Sequence, residues 1–327
     1  MGFLTGKKIL LLYARFFEYD IIVKNKLQEM GASVDLYDAR ANIGNFGKAF
    51  LKITDRFYKQ KQIRFHKKIC NSQKNTKYDF ILTNENLDCE VLKKYKEVFP
   101  AAKLFLYLDD SVENLRNVNE TFSYYDKVMT FDRFDSQKYK INFRPLFFNE
   151  NISLIKNKQT ETDFDVCFVG TGHSDRLNII DSLKNSNPQK KFDLYVFLQS
   201  WFMYFYYCLK NKEYRKYKFS FFKYKKITMK EVAFKMSKSK AILDIQHPKQ
   251  SGLTIRTIES IGMGKKLITT NRDILNYDFY NPSNILIIDR SNPVLDESFF
   301  DQQFIELDKD IYDKYSIESW INDIFEG

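Results

Sequence analysis

The stretch His247-Pro248-Lys249-Gln250-Ser251-Gly252-Leu253-Thr254-Ile255-Arg256-Thr257-Ile258-Glu259-Ser260-Ile261-Gly262-Met263-Gly264 decides how the chain is read. The apolar run Ala241-Ile242-Leu243-Asp244-Ile245 precedes it, and Lys266-Leu267-Ile268-Thr269-Thr270-Asn271 follows. This order predicts a strand, a glycine-containing loop, a short helix, a glycine stop and a second strand. A glycine just before a helix start lets a ligand approach the backbone, and the free N–H groups of the first turn favour an anion. Arg256 and Glu259 are three apart and share a helix face, the arginine nearer the N-terminus. Arg256 suits a phosphate, and Glu259 suits a pair of hydroxyls. The same spacing also serves an ordinary surface ion pair, worth roughly a few tenths of a kcal/mol.

Working outward, the same alternation fills the chain. Apolar runs at Lys8–Tyr13, Ser33–Tyr37, Phe80–Thr83, Leu104–Leu108, Val128–Phe131 and Arg144–Phe148 read as strands. Helical patterns lie between them, such as Ile21 to Met30 ending at Gly31, and Val91 to Phe99 ending at Pro100. After the polar stretch Asn149–Asp163, read as a linker, the rhythm restarts at Asp165–Gly170, Asp193–Leu198, Ala241–Ile245, Lys266–Thr270 and Ile285–Ile288. Tyr315–Phe325 reads as a final amphipathic helix. Short apolar runs separated by helices imply parallel sheets with crossovers. The expectation is two Rossmann-like α/β domains, residues 1–150 and 163–310, closed by a C-terminal helix at 311–327, with a cleft where their strand ends face each other.

Bulk properties set limits. The 327 residues suffice for two domains, and 44% hydrophobic content supports real cores. The formal charge of +10 fits an anionic partner: nucleic acid, an anionic membrane face or a phosphorylated substrate. Cys70, Cys89, Cys167 and Cys208 lie far apart without a CxxC pattern, against both a zinc site and a disulfide framework, so a reducing cytoplasm is the default. No run reaches the roughly eighteen apolar residues of a spanning helix. Ile9–Tyr13 is too short for a signal core and reads as the first strand.

Several constellations carry chemistry. Asp165–Gly170 runs into Thr171-Gly172-His173-Ser174-Asp175-Arg176, a glycine-rich turn and helix start whose N–H groups, with Arg176, suit phosphate oxygens. It lacks the third glycine of a dinucleotide fingerprint. Leu104–Leu108 runs into Asp109-Asp110-Ser111, carboxylates at a strand's C-terminal end where a general base or metal ligand would sit; Ser111 or Asp110 also suits a helix cap. Glu18 and Asp20 follow the first strand, and Asp132, Arg133 and Asp135 the fifth. His66 falls among lysines on a face expected to be solvated, whereas His173 and His247 lie on the loops suited to phosphate. No HxH, HExxH or paired Cys/His spacing occurs, so a metal site is not expected.

Two segments break the rhythm. Gly47–Ile69 is a long basic helix pattern. Trp201–Lys226 interleaves aromatics with lysine and arginine around a single acid, Glu213. It can pack over its own domain, dip its aromatics into a membrane interface while its cations meet anionic headgroups, or stack on single-stranded nucleic acid.

Taken in order, the run Leu243–Pro248, Gln250–Thr254, Arg256–Glu259 and Lys265–Asn271, with Phe168-Val169-Gly170, Asp175-Arg176, Tyr107–Ser111 and Phe131-Asp132-Arg133, resembles bacterial surface-polysaccharide glycosyltransferases of lipopolysaccharide core or capsule biosynthesis, related to the CgeB-like group. The resemblance implies a GT-B fold, with the nucleotide-sugar donor in the C-terminal domain, the acceptor in the N-terminal one and no cofactor or essential metal. It implies donor binding by Gly170, Thr171, Gly252, Thr254, Arg256 and Glu259, the last on the ribose or sugar; Gly172, Arg176 and His247, on the same phosphate-suited loops, complete the donor-binding candidates. Asp110 and Asp20 are the candidate catalytic carboxylates. The expected reaction is metal-independent transfer of a sugar to a lipid-linked or surface glycan, at the cytoplasmic face of an anionic membrane and without nucleic acid. The alternatives are a non-catalytic nucleotide- or polyanion-binding protein and a metal-dependent GT-A-type transferase using Asp109-Asp110.

Overall fold

The computed structural model describes residues 2–15, 17–41, 55–115, 117–156, 161–248 and 250–326. The chain forms two compact units, Met1–Pro145 with Trp320–Gly327, and Leu146–Ser319.

In the first unit the elements run β1 (Lys8–Leu12), α1 (Tyr19–Glu29), β2 (Ser33–Tyr37), α2 (Asp55–Gln73), β3 (Phe80–Thr83), α3 (Cys89–Val98), β4 (Lys103–Leu108), β5 (Lys127–Thr130), α4 (Arg133–Tyr139) and β6 (Asn142–Phe143). The six strands are all parallel, in the order β2-β1-β3-β4-β5-β6. Helices on both faces explain why Ile9, Leu10, Leu11 and Leu12 are apolar without alternation and fully buried. α1 stops where Gly31 takes φ +96°, a backbone state that side chains with a Cβ resist. The side chain of Asp88 starts α3 by accepting from Glu90 N at 2.9 Å. The strand order reverses around β1, so the C-terminal ends of β1 and β3 form a topological switch point.

Three expectations change here. Arg144–Phe148 is not a strand: β6 ends at Phe143, and Pro145 has no N–H to continue a ladder. His66 is buried rather than solvated, its ring nitrogens 3.0 Å from Tyr95 Oη and 3.1 Å from Ala39 O, and burial pushes its imidazole down to about 4. Its neighbouring lysines point elsewhere, because α2 turns only one stripe towards the core. The basic pattern from Gly47 is a helix from Asp55 onward; Lys48 and Lys52 lie outside the described residues.

The second unit opens with α5 (Glu150–Lys156), within the stretch read as a linker. Asn149 Oδ1 accepts from Ile152 N at 3.3 Å, and Ile152 is buried, so one apolar anchor holds an otherwise polar segment. There follow β7 (Phe164–Thr171), α6 (Arg176–Ser186), β8 (Phe192–Phe197), α7 (Trp201–Lys210), α8 (Met229–Ser237), β9 (Ser239–Asp244), α9 (Ile255–Gly262), β10 (Lys266–Thr269), β11 (Ile285–Ile287), α10 (Glu297–Asp301), α11 (Lys309–Lys314) and α12 (Ile317–Phe325). The sheet is parallel, ordered β11-β10-β9-β7-β8, and reverses between β7 and β9. Beyond β8, Lys223 makes a single bridge to Phe197, so the aromatic segment loops out between β8 and a one-residue edge.

α12 begins in the second unit, but from Trp320 onward it belongs to the first. Trp320 is fully buried with its ring 4.8 Å from that of Tyr107. Lys127 Nζ donates to Asp323 O and Ile324 O at 2.6 and 3.1 Å, and Arg144 pairs with Asp323 at 2.8 Å. Among the described residues no helix is long and apolar enough to cross a membrane.

Candidate functional site

Parallel pairing of β7 with β9 puts the loops after them on one edge of the second sheet. Gly170 and Thr171 close β7, and Gly172 and His173 follow. On the other side β9 leads to His247 and then to Gly252 and Thr254 at the start of α9. Arg176 clamps the two loops together: Nε donates to Ile245 O at 2.7 Å, and one terminal nitrogen donates to Thr171 O and Oγ1 at 3.1 and 3.2 Å. No carboxylate among the described residues pairs with Arg176, so its charge faces this edge uncompensated by a bonded acid. The rings of His173 and His247 lie 5.6 Å apart. Burial, then the charges of Arg176 and His247, push the His173 imidazole down to about 4, leaving it neutral at pH 7.

Arg290, after β11, completes the edge and was not anticipated. It forks onto both oxygens of Asp175 at 2.8 and 2.9 Å and donates to Gln246 O at 2.6 Å. The Asp175 carboxylate is thereby engaged by Arg290, and α6 starts without a side-chain cap. First-turn N–H groups left in that state attract anions. The available signal was positional, an arginine just past the last apolar strand run.

Other expected ligand residues have structural partners. Thr254 Oγ1 caps α9, accepting from Arg256 N at 3.1 Å and Thr257 N at 3.4 Å, and donates to Asp244 Oδ2 at 2.9 Å. Asp244, at the end of β9, also accepts from Thr257 Oγ1 at 2.7 Å, and Asn271 holds the loop through Ser251 O and Gly252 O at 2.9 and 3.1 Å. Arg256 and Glu259 do share a helix face, but the carboxylate is only 1% exposed and is paired with Arg256. Gly172 is a close-packing position: a Cβ there would lie 2.7 Å from Val196 Cγ1, and its carbonyl accepts from Tyr214 Oη at 2.5 Å.

At the switch point of the first sheet, Asn84 bridges three strand ends. Its Oδ1 accepts from Ala14 N at 2.8 Å and its Nδ2 donates to Asp109 Oδ2 at 2.8 Å. Asp109 keeps contact with solvent at its surface while protein crowds round it. That desolvation, with the charges of Glu85 and Asp110, pushes its carboxyl up to about 7; the Asn84 bond and Arg40 pull the other way. Arg40 is itself ion-paired with Glu85. The buried Tyr13 phenol is raised by burial and then by Asp109, Tyr107 and Asp20.

Of the two expected catalytic carboxylates, Asp20 is buried in the first turn of α1. Asp110 Oδ1 accepts from Ser111 N and Asn114 Nδ2, both at 2.8 Å. Ser111 starts a 3₁₀ turn rather than a capped α-helix, its hydroxyl donating to Asp132 at 3.0 Å. Asp132 and Asp135 hold backbone N–H groups, so they serve the fold. Among the described residues no three His, Cys, Asp or Glu side chains form a group that could hold a metal ion.

No family model matches the chain, and no curated protein sequence matches it. Solved structures do. The chain is similar to the lipopolysaccharide outer core galactosyltransferase WaaB in its apo form (TM-score 0.54, 11% identity, 98% of this chain and 99% of that one). It is similar to HepE of Anabaena in complex with UDP and glucose (TM-score 0.61, 12% identity, 98% of each chain). It is also similar to the N-terminal domain of the Candida albicans trehalose-6-phosphate phosphatase (TM-score 0.65, 8% identity, 100% of this chain and 98% of that one). The fold is therefore GT-B: two Rossmann-like units, each with a parallel sheet. This replaces the GT-A-type alternative.

Proposed function

We propose that the protein is a glycosyltransferase that moves a sugar from a nucleotide-sugar donor to a lipid-linked or surface glycan. The observation that carries this reading is the edge of the second sheet at its switch point. There Arg176 and Arg290, the neighbouring rings of His173 and His247, and the uncapped start of α6 converge where doubly wound sheets bind nucleotides. Full-length likeness to WaaB and to HepE supports it.

In this reading the donor diphosphate lies against the Gly170–His173 loop and the start of α6, with His247 and Gly252 on the facing loop. Arg176 keeps both loops in register while lending its charge to the leaving diphosphate. Glu259 and Arg256 hold α9; a direct ribose contact by Glu259 would need that pair to open. The acceptor base comes from the carboxylates of the first unit. Asp109, pushed up to about 7 by desolvation, is matched to proton transfer near neutral pH, whereas Asp20 is buried and Asp110 already accepts from Ser111 N and Asn114 Nδ2. We place the reaction at the cytoplasmic face of the membrane, with no cofactor or essential metal.

The test is a thermal-shift and turnover screen with UDP-, GDP-, CMP- and dTDP-sugars, with and without EDTA. A shift with one donor class and turnover that survives EDTA are expected. Stabilisation by nucleotide without turnover on any acceptor would favour the non-catalytic nucleotide-binding reading. Turnover lost with EDTA and restored by Mg²⁺ or Mn²⁺ would overturn the metal-free mechanism.

A further inference from the structure

α7 is apolar over most of its circumference, yet none of its ten residues is fully buried. Helices of that composition belong inside a core or a membrane. Ten residues rise about 15 Å, half of a bilayer's hydrocarbon thickness, so α7 cannot span one. Its inner face explains part of the composition: Tyr204, Tyr207 and Cys208 pack on the core around the buried Tyr214 and Phe222. Its outer face remains unexplained by packing. Trp201 is 50% exposed, Phe202 63%, Phe205 51% and Leu209 80%, and Phe219 adds its half-exposed ring 6.2 Å from that of Phe205.

The same segment is rich in exposed cations. Lys212, Arg215, Lys218, Lys223 and Lys225 are exposed, and the single acid of the segment, Glu213, is already paired with Lys216. A nucleic-acid groove would stack bases on rings along a basic track; here Trp201, Phe205 and Leu209 recur every four residues on one helix face, and Leu209, the most exposed of them, offers a base no ring. An exposed apolar aromatic face in a segment rich in exposed lysine and arginine, on a helix too short to span, has the chemistry of a helix lying in the headgroup region of an anionic bilayer.

We propose that the Trp201–Phe205–Leu209 face of α7, with Phe219 and the exposed cations of its segment, is the surface by which this protein docks on an anionic membrane. The proposal deepens the membrane-facing reading above and rests on it. It has a mechanical corollary inside the second unit. Tyr214 stacks on Tyr207 at 4.8 Å and donates to Gly172 O at 2.5 Å, so this one residue links the docking helix to the first phosphate-side loop.

The chain itself supplies the probe. Of its two tryptophans, Trp320 is fully buried and Trp201 is exposed, so a lipid-dependent change in emission reports α7. Full-length protein mixed with phosphatidylglycerol vesicles should show a blue shift and co-sedimentation, both absent with phosphatidylcholine. Trp201→Phe should abolish the blue shift while retaining most sedimentation. Because they lie on the surface, Phe202→Ser with Phe205→Ser should fold normally and lose at least tenfold in partitioning. Each Lys→Gln change at Lys212, Lys218, Lys223 or Lys225 should cost up to about fivefold at low salt. Donor hydrolysis by these variants should match the parent, so loss of docking and loss of the enzymatic reading remain separable. Equal partitioning of parent and variants, failure to bind phosphatidylglycerol, or a Trp201 shift produced by a soluble anionic polysaccharide or oligonucleotide but not by vesicles would overturn the proposal.

Discussion

At the scale of single residues, two carboxylates lead to opposite expectations. Asp109 has a folded-state value near 7, above the roughly 3.9 of an unperturbed aspartate. Its ionised form is the base, so transfer should rise with pH through about 7, and Asp109→Asn should remove that limb and most of kcat. Stability runs the other way. Folding takes up a proton at Asp109 between roughly pH 4 and 7, so its contribution to stability falls as pH rises through that window. The Asn variant should therefore lose less stability than the parent between pH 5 and 8, as thermal denaturation at each pH would show. Glu259 is a different case. Its carboxylate is buried against Arg256, and Glu259→Ala leaves a guanidinium uncompensated, at a cost of about 3 kcal/mol. Unchanged chemical denaturation would refute that. The i,i+3 spacing announced the pair, but not that it would face inward. Asn84, Arg290 and Asp244 escaped sequence reading because each acts through a partner distant in the chain, and no local pattern encodes such a partner.

At the scale of elements, the strands were legible wherever an apolar run ended at a polar residue or glycine, since both faces of each sheet are covered. β2 and β3 fall where the runs predicted, and β9 and β10 within a residue or two at each end. Reading failed where a short apolar run had another cause. Phe147 and Phe148 are buried, but Phe148 makes only a single bridge, to Ser316, and a Cβ on Gly262 would press within 2.5 Å of its Cγ. Gly262→Ala should accordingly destabilise by about 1–3 kcal/mol through overpacking. The start of α9 offers a sharper test. Thr254→Ala removes a cap and a bond to Asp244, and should cost about 1–2 kcal/mol in equilibrium unfolding. Thr254→Ser, which keeps the hydroxyl, should recover most of it. The aromatic segment shows how far composition reaches: it announced something unusual, but only the helical phase of α7 sorts Tyr204 and Tyr207 inward from Trp201 and Phe205 outward.

At the scale of the whole molecule, the two-domain α/β plan followed from the interrupted alternation of runs, whereas the route of the last helix did not. The periodicity of Tyr315–Phe325 marks an amphipathic helix without saying which core receives it. Trp320 lies against Tyr107, and Phe325 reaches Phe80 and Phe105 with ring separations of 5.1 and 5.9 Å. Trp320→Ala should cost about 3–5 kcal/mol, seen as an earlier unfolding transition in calorimetry. Deleting residues 320–327 should lower the transition of the first unit while sparing that of the second.

This arrangement reverses the order in which the chain can mature on the ribosome. Domains made first ordinarily fold first during synthesis. Here the unit that emerges first lacks Trp320, Ile321, Ile324 and Phe325, all of them buried, until the whole of Leu146–Ser319 has been made. The second unit has its complete sequence before Trp320 is added, while the older half of the chain still exposes the site for that residue. A nascent chain stalled just before that tryptophan would keep the first sheet open to chaperones, and addition of Trp320–Phe325 would close it.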